Sequence, residues 1–332
     1  MKDKSGIFSL TLTAFLCVCL IIAGTIYVSS DSDVLNNNVS IKEYIISTPD
    51  EQAESEKDVP SSVNVSAKAD AVGKVIPQFI SPYNSKTSYN RVYIKNRAGI
   101  QLDIAKYLNS SNPVKIEKNS QPQVLIMHTH TTECYLTEDR DYYTDADLTR
   151  TRDTSYNVTA IGKIIADMLG NAGIVTLHDK TEHDYPAYNG SYNRSGETVK
   201  KYLSQYPSIK IVIDLHRDSI AGNGTDRVKP VVEIDGKNAA QVMLVMGCGE
   251  TVANHENWGK NFTFAVKYQQ TMEVLYPGLA RQLALVSSRY NQHLTTGSIL
   301  LEVGTESNSF EEAAYGARLA GTALISYLNT LT

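Results

Sequence analysis

Three short, largely apolar segments, each leading into a polar residue, constrain the fold of this 332-residue chain more than any other feature. They are 124–127 leading into His128, 209–215 leading into His216, and 298–301 leading into Glu302. Continuous runs of Val, Ile and Leu of this length are typical of strands buried on both faces of a mostly parallel sheet. Because sites in open α/β sheets form outside the carboxyl ends of the strands, we expect these distant polar residues to meet.

Beyond residue 123, strand-like and helix-like patterns alternate along the chain. This alternation predicts an α/β fold whose twisted, mostly parallel central sheet is flanked by helices. Strands are predicted at 123–130, 174–177, 209–215, 228–234, 239–245 and 298–303. Helices are predicted at 154–169, 196–206, 258–274, 279–294 and 310–328. The dipeptide Asp235-Gly236 lies between two of these strands and predicts a hairpin turn.

The N-terminal segment 7–28 is uncharged, and its length matches the about 20 residues that span a hydrocarbon core. Two lysines precede it and two aspartates follow it, so the positive-inside tendency places residues 1–6 in the cytoplasm and the remainder outside. The tripeptide Ala23-Gly24-Thr25 is a poor cleavage site. It therefore favours an uncleaved transmembrane anchor, with a cleaved signal peptide as the alternative.

Three regions follow the predicted anchor. Residues 29–73 are rich in Ser, Asp, Asn and Glu without sustained periodicity, which predicts a flexible extracytoplasmic linker. Residues 74–122 include a short strand pattern at 92–94 and helical spacing at 100–108. We expect them to form an N-terminal extension of a catalytic domain at 123–332.

The composition argues against a nucleic-acid partner. The formal net charge is -5, and no basic stripe with interleaved aromatic residues is found. Sequence fingerprints for nucleotide binding and for a nucleophilic serine are absent as well. Outside the anchor, Cys134 and Cys248 are too few for a disulfide framework or a zinc ribbon. Cys134 follows a candidate ligand directly, but a packed thiol is the preferred interpretation.

The segment His128-Thr129-His130-Thr131-Thr132-Glu133 follows the first predicted strand and offers three metal-binding side chains. Hydrolytic zinc sites have three protein ligands and one open position, and a nearby carboxylate moves the proton. His130 is preferred to His128 as a ligand because it lies farther into the crevice. Glu133 can reach the same ion from the loop. The alternative interpretation is a polar loop with capping threonines.

His216 follows the strand pattern at 209–215, within Asp214-Leu215-His216-Arg217-Asp218. Asp214 and His216 share one face of an extended strand, so Asp214 is predicted to fix the tautomer of His216. Arg217 faces the other way and is predicted to hold a substrate carboxylate, with an ion pair to Asp218 as the alternative. A purely structural histidine is possible here, but the first cluster favours a metal ligand.

Glu302 lies inside the apolar segment 298–303. A buried carboxylate is costly unless it is paired or bound to a metal, so we predict Glu302 to be the general base. Glu306, in the polar loop that follows, is assigned a structural role. The reverse assignment of the two glutamates is the alternative.

Residues 183–195 form a second polar and aromatic cluster, predicted to be a loop that enters a helix with Ser195 as its cap. Arg194 suits a substrate carboxylate, and Tyr188 and Tyr192 suit a sugar or a peptide. An ordered surface loop is the alternative. No role is assigned to His178, His255 or His293.

These residues together resemble the stage II sporulation protein P family of endospore-forming bacteria, a branch related to zinc-dependent N-acetylmuramoyl-L-alanine amidases. The resemblance extends from about residue 74 to the C-terminus and includes 128–135, 183–195, 214–218, 258–277 and 301–308. It implies that His130 and His216 are zinc ligands and that Glu302, which precedes Ser307-Asn308, is the catalytic glutamate. The broader amidases carry another ligand, a Glu, just before the first helix. This chain has Arg152-Asp153-Thr154-Ser155 there, so Glu133 is the expected substitute.

The resemblance also implies a function. The expected reaction cleaves the amide between muramic acid and the stem peptide of peptidoglycan during engulfment, with peptide cross-links as a second target. Zn2+ is the expected cofactor. A membrane complex with stage II sporulation proteins D and M, between the forespore and mother-cell membranes, is the expected setting. The alternatives are a non-catalytic cell-wall-binding scaffold and another zinc hydrolase of the wall, such as a carboxypeptidase or a deacetylase.

Overall fold

Twelve strands and five α-helices are found in residues 70–332, the part of the chain described by the computed structural model. The strands are β1 (Ala71–Gln78), β2 (Thr87–Tyr89), β3 (Val92–Asn96), β4 (Val124–Met127), β5 (Tyr142–Thr144), β6 (Thr176–His178), β7 (Ile211–Asp218), β8 (Arg227–Ile234), β9 (Lys237–Ala240), β10 (Val242–Gly247), β11 (Leu283–Val286) and β12 (Ser298–Thr305). The helices are α1 (Ile104–Asn109), α2 (Val158–Asn171), α3 (Ser191–Gln205), α4 (Trp258–Leu275) and α5 (Phe310–Asn329). A 3-10 helix covers Gln292–Leu294.

The main sheet has eight strands in the order β2-β3-β11-β10-β12-β7-β4-β6. Two neighbouring pairs, β2–β3 and β10–β12, are antiparallel. The other pairs are parallel, so the sheet is mixed. All of β4 and nearly all of β7 and β12 are buried. The predicted α/β class and the apolar strands that lead into His128, His216 and Glu302 are therefore confirmed.

A second, smaller sheet has the strand order β5-β1-β8-β9. Its β8–β9 hairpin turns at Asp235 and Gly236, whose φ angles of 51° and 76° suit a tight two-residue turn. The predicted strand 239–245 is wrong as a single element. It divides because β9 pairs in the small sheet, whereas β10 pairs with β11 and β12 in the main sheet.

Gln241 occupies the crossing between the two sheets and is fully buried. Its side-chain carbonyl accepts the amide N–H of Ile80 at 2.8 Å, and its amide group donates to the carbonyls of Ile80 and Gly278. Its backbone N–H donates to Pro230 O, and its backbone carbonyl accepts from the N–H of Gly304. Gln241 thus bonds to several separate segments of the chain.

The predicted helix 279–294 is also wrong. This segment forms β11, a loop and the 3-10 helix. Four apolar residues, Leu283–Val286, are too few for a helix, and they fill the space between β3 and β10 as a parallel strand.

The other helices pack beside the main sheet, where α2 and α4 both contact α5. A capping box starts α5, because Ser309 and Glu312 exchange hydrogen bonds with each other's backbone N–H. Helix α3 begins at Ser191 with Gly190 at its N-cap, five residues before the predicted start at 196. The predicted capping role of Ser195 is therefore wrong, since Ser195 lies inside the helix.

The segment preceding residue 123 is integrated into both sheets. β1 belongs to the small sheet and starts at Ala71, inside the predicted linker 29–73. β3 pairs with β11 in the main sheet. The predicted transmembrane segment 7–28 lies outside the described residues. Within residues 70–332, no helix is long and apolar enough to span a bilayer.

Candidate metal and catalytic site

The candidate site lies where β4, β7 and β12 run side by side in parallel. The chain leaves β4 directly into His128, Thr129 and His130. His216 is near the end of β7, and its register partner on β12 is Glu302. Parallel pairing therefore brings three segments, distant in sequence, to one edge of the sheet.

His216 is buried between two carboxylates. Its Nε2 lies 2.8 Å from Asp214 Oδ1, and its Nδ1 lies 3.4 Å from Glu133 Oε2. Burial would lower the pKa of His216, but the two carboxylates outweigh it and raise that pKa well above its ordinary value. The two carboxylates therefore favour the protonated form of the ring.

Asp214 is fixed by the loop that follows β4. Its carboxylate accepts the backbone N–H of Thr129 at 2.8 Å and the Thr129 hydroxyl at 2.7 Å. Burial opposes ionisation, yet contact with His216 and these hydrogen bonds lower the pKa of Asp214. Asp214 thus lies against the His216 ring, and its role in orienting that ring stays a prediction.

Glu133 is buried and takes part in several polar contacts. The N–H of Arg217 donates to its Oε2 at 3.2 Å, and Arg150 Nη2 donates to its Oε1 at 3.4 Å. Burial raises the pKa of Glu133, but His216 and the guanidinium of Arg217 together outweigh it and lower the pKa to about 2. Glu133 is therefore an anion in contact with His216.

His130 completes the cluster. Its ring stacks on Tyr188 at 4.5 Å between centroids and meets the His216 ring edge-on at 5.3 Å. Its Nε2 is 3.1 Å from the Tyr188 hydroxyl, whereas its buried Nδ1 has no hydrogen-bond partner among residues 70–332. Burial and the neighbouring His216 lower the pKa of His130 to about 4.

His128 makes both of its ring contacts away from this cluster. Its Nδ1 is 2.8 Å from Leu215 O and its Nε2 is 2.9 Å from His178 Nε2. A carbonyl can only accept, so Nδ1 donates to Leu215, and Nε2 accepts from the N–H of His178. Burial, with His178 nearby, lowers the pKa of His128 to about 3. His128 thus ties β4 to the residue that precedes His216.

Glu302 is mostly buried, and its Oε2 has no hydrogen-bond partner within the described part of the chain. Burial is the main cause that raises its pKa to about 8; His216 and Arg281 oppose the rise, while Asp218 and Glu133 add to it. Its pKa is therefore close to neutral pH, which suits a group that both accepts and donates a proton. Glu306 accepts the Ser219 hydroxyl at its Oε1, at 2.9 Å, and its Oε2 likewise has no hydrogen-bond partner among residues 70–332.

Two of the predicted substrate-binding residues border His130. Tyr188 is about half exposed and stacks on the His130 ring, and Tyr192 approaches that ring edge-on at 5.6 Å. Tyr188 is open to solvent, whereas Tyr192 is mostly buried.

The two predicted substrate-binding arginines have partners within the protein. Arg194 donates to the carbonyls of His183, Ala187 and Asn189, which fixes the loop before α3. Arg217 is buried, and its guanidinium donates to Thr149 O at 2.7 Å and Cys134 O at 3.4 Å. Their direct contact with substrate stays a prediction.

The sequence reasoning missed a network that holds the loop after β4. Asp184 accepts hydrogen bonds from the N–H and hydroxyl of Thr132 and from Arg150 Nη1 at 2.7 Å. The guanidinium of Arg150 also lies 4.8 Å from the centroid of the Tyr188 ring. Asp184 belongs to the polar cluster 183–195, which was a usable signal, whereas nothing in the sequence around Arg150 points to the site.

The donor atoms of this cluster are of the kinds that bind zinc. Among residues 70–332, no group of three His, Cys, Asp or Glu side chains is already arranged to hold a metal ion. The donor chemistry nevertheless fits, because two imidazoles and a carboxylate are in contact and His130 Nδ1 is buried without a partner. Both ring nitrogens of His216 face carboxylates, so an ion binding at either nitrogen would replace one of these contacts.

Cys134 is buried beside the cluster and its thiol donates to Leu148 O at 3.1 Å. Burial raises the pKa of this thiol to about 11, so it is uncharged at neutral pH. A neutral packed thiol agrees with the interpretation preferred from the sequence.

The fold and the site define a mixed α/β protein with a buried His, Glu and Asp cluster at the carboxyl ends of parallel strands. The model of the family "Stage II sporulation protein P (SpoIIP)" matches residues 29–324, and the chain belongs to this family. Stage II sporulation protein P of Bacillus subtilis (strain 168) is 31% identical over 220 residues, which cover 63% of this chain and 52% of that protein. The chain thus matches about half the length of this curated relative.

Several solved amidases align with part of this chain. The CwlD amidase of Clostridioides difficile, solved with the GerS lipoprotein, aligns with 63% of this chain and 99% of its own, at 13% identity and a TM-score of 0.41. The N-acetylmuramoyl-L-alanine amidase AmiC2 of Nostoc punctiforme aligns with 64% of this chain and 99% of its own, at 12% identity and a TM-score of 0.37.

Proposed function

We propose that this protein is a zinc-dependent N-acetylmuramoyl-L-alanine amidase that degrades septal peptidoglycan during sporulation. The observation that carries the proposal is the meeting of His130, Glu133 and His216 beside Glu302 at one edge of the sheet. Membership of a sporulation protein family supports the cellular setting.

His130, Glu133 and His216 would hold the metal, and Asp214 would keep His216 oriented, as carboxylates behind metal-binding histidines commonly do. When bound, zinc would supply a Lewis acid that polarises the amide carbonyl and activates a water molecule for attack. Arg217 supports this set through its backbone N–H, which donates to Glu133.

Glu302 would carry the proton. It accepts a proton from the attacking water and delivers it to the nitrogen of the departing stem peptide. A pKa raised to about 8 supports this role, because a group whose pKa is close to the working pH can both accept and donate a proton. Tyr188, which is exposed, and Tyr192, which lies edge-on to His130, would contact the substrate.

The proposal includes the cellular setting. A transmembrane helix at 7–28 would anchor the protein and leave its catalytic domain between the forespore and mother-cell membranes. Peptidoglycan is the substrate, and stage II sporulation proteins D and M are the proposed membrane partners. Cleavage of peptide cross-links is proposed as a second activity.

The test uses the full-length protein in detergent, incubated with purified peptidoglycan before and after removal of metal by a chelator. Mass spectrometry of the products distinguishes the candidate reactions. An amidase releases an intact stem peptide from an intact glycan, whereas a carboxypeptidase shortens the peptide and a deacetylase changes only the sugar. Peptidoglycan binding without any product, with or without added zinc, would favour the scaffold.

A further inference from the structure

A cavity of about 810 Å3 adjoins the row of residues that contains the candidate site. Met243 on β10 lines it, and Met243 is the register partner of Glu302 on β12. Glu302 in turn is the register partner of His216 on β7. His216, Glu302 and Met243 thus follow one another across three neighbouring strands. Because such strands are about 4.8 Å apart, the Met243 wall of the cavity lies about 10 Å from His216.

Arg281 lines the same cavity and is only 5% exposed. Its Nη1 donates to Asp218 Oδ2 at 2.9 Å. Its Nε and Nη2 are buried and have no hydrogen-bond partner among residues 70–332. An unpaired buried donor on a guanidinium costs free energy, so an acceptor that reached these two N–H groups, which form one fork of the guanidinium, would be stabilised.

The charged side chains that line the cavity are mostly basic, as the Arg281 guanidinium is. Its lining includes three basic side chains, Lys95, Arg97 and Arg281, and one acidic side chain, Asp218. Lys95 and Arg97 are exposed and Arg281 is buried, so positive charge extends from the opening to the inner wall. Apolar side chains, among them Phe79 and Met243, complete the lining. Such a cavity suits a ligand that has a carboxylate on a partly apolar peptide.

We propose that this cavity is a carboxylate subsite, in which Arg281, with Lys95 and Arg97 at the opening, binds a free carboxylate of the stem peptide. The inference rests on the proposed function, because it takes the stem peptide to be the part of the substrate beyond the scissile amide. One extended residue spans roughly 3.5 Å, so two or three residues cover the distance from the His216–Glu302 row to the cavity. The subsite would select stem peptides by the charge of their side groups.

The test compares two muramoyl peptides that are identical except that the free carboxyls of one are carboxamides in the other. With the full-length protein, kcat/KM should be about 10- to 100-fold higher for the carboxylate form, the range expected for one charge-assisted bidentate contact. Arg281→Gln should cleave the two peptides with about equal kcat/KM, because only the value for the carboxylate form should fall. Arg281→Lys, which keeps the charge but not the fork, should retain part of the preference.

Two further variants serve as controls. A Lys95→Gln/Arg97→Gln double variant leaves the Arg281–Asp218 pair intact and should reduce the preference severalfold even if Arg281→Gln does not fold. Lys260→Gln removes one exposed charge from α4 and should leave the preference unchanged. A preference that survives in both Arg281→Gln and the double variant, or rates that fall equally for the two peptides, would overturn the subsite.

A binding measurement separates this inference from the proposed function. The two peptides are titrated into Glu302→Gln and into the same variant that also carries Arg281→Gln, and heat is recorded. The subsite predicts that Kd for the carboxylate form rises about 10- to 100-fold on loss of Arg281, with no change for the carboxamide form. If the natural protein cleaves neither peptide, the amidase proposal fails, while this binding ratio still decides the subsite.

Discussion

His216 and Glu302 occupy paired register positions on the parallel strands β7 and β12. Paired residues of neighbouring strands project to the same face of a sheet, so the imidazole and the carboxyl share one side of the structure. Their charges interact, since His216 is among the groups that oppose the raised pKa of Glu302. The two proposed roles, metal binding by His216 and proton transfer by Glu302, can therefore be tested one residue at a time.

Glu302→Gln should abolish turnover while zinc stays bound, because the amide keeps the size of the side chain but cannot accept the proton. The expected loss of kcat is at least about 100-fold, typical of a missing general base. Metal content by mass spectrometry and product release from peptidoglycan are measured together. His216→Ala is the matched comparison and should lose the metal as well as the activity. Full activity of the Gln variant would exclude Glu302 as the base.

The stability of the metal-free protein should depend on pH through Glu302. Its pKa rises from 4.5 to about 8 on folding, so the folded state binds more protons than the unfolded state between these values. Its contribution to stability is therefore complete below about pH 4.5 and is lost as the pH rises towards 8. Since Gln cannot ionise, Glu302→Gln should gain at least about 1 kcal/mol relative to the natural protein between about pH 5 and 8.

Urea unfolding of both proteins, followed by the fluorescence of Trp258, the only tryptophan, measures this difference. The comparison is made without zinc at several pH values. A stability difference that stays constant across the range would contradict a raised pKa for Glu302.

Asp214→Asn should weaken zinc binding by about 10- to 100-fold, the usual effect of removing a carboxylate behind a metal-binding histidine. The substitution removes the negative charge of a carboxylate that contacts His216 and accepts two hydrogen bonds from Thr129. Competition with a chromophoric chelator gives the affinity. Asp145→Asn, at an exposed position, is the control and should bind zinc like the natural protein. Equal affinities for the two variants would assign Asp214 no part in metal binding.

Gly162→Ala should destabilise the protein by about 1 to 3 kcal/mol, as overpacking of a buried position does. A Cβ at Gly162 would lie 2.7 Å from His128 Cε1 and from His178 Nε2, so the histidine pair must move. Gly170, on the same helix, has no atom within 4 Å of an added Cβ. Gly170→Ala should therefore be neutral or stabilise by up to about 1 kcal/mol. Equal unfolding midpoints in urea for the two variants would contradict the close packing of α2 on His128.

The central strands were predictable because each is a continuous apolar run with a polar residue at its end. β4, β7 and β12 are buried on both faces, and such burial leaves a clear pattern in the sequence. Periodicity does not distinguish a short buried strand from part of a buried helix, which is why β11 was predicted as helix. The division of 239–245 was not predictable either, since pairing partners in two different sheets leave no local signal.

Sequence reasoning could predict that four residues lie close together, because the carboxyl ends of neighbouring parallel strands meet at one edge of the sheet. These residues are His130, Glu133, His216 and Glu302. The contacts around them needed coordinates. The pairing of His128 with His178 depends on β6 lying beside β4, which the sequence did not indicate. Arg150 reaches the site from a long loop, and no periodic pattern places such a residue.

The buried side chain and backbone of Gln241 connect the two sheets. Gln241 bonds to Ile80 and Gly278 through its side chain, and to Pro230 and Gly304 through its backbone, so it joins the small sheet to the strand that carries Glu302. Loss of the small sheet would remove Pro230 and leave the buried backbone N–H of Gln241 without its hydrogen-bond partner. A minimal version made by trimming that sheet should therefore aggregate rather than work, and recombination between distant homologues should succeed only at breakpoints that keep both sheets from one parent.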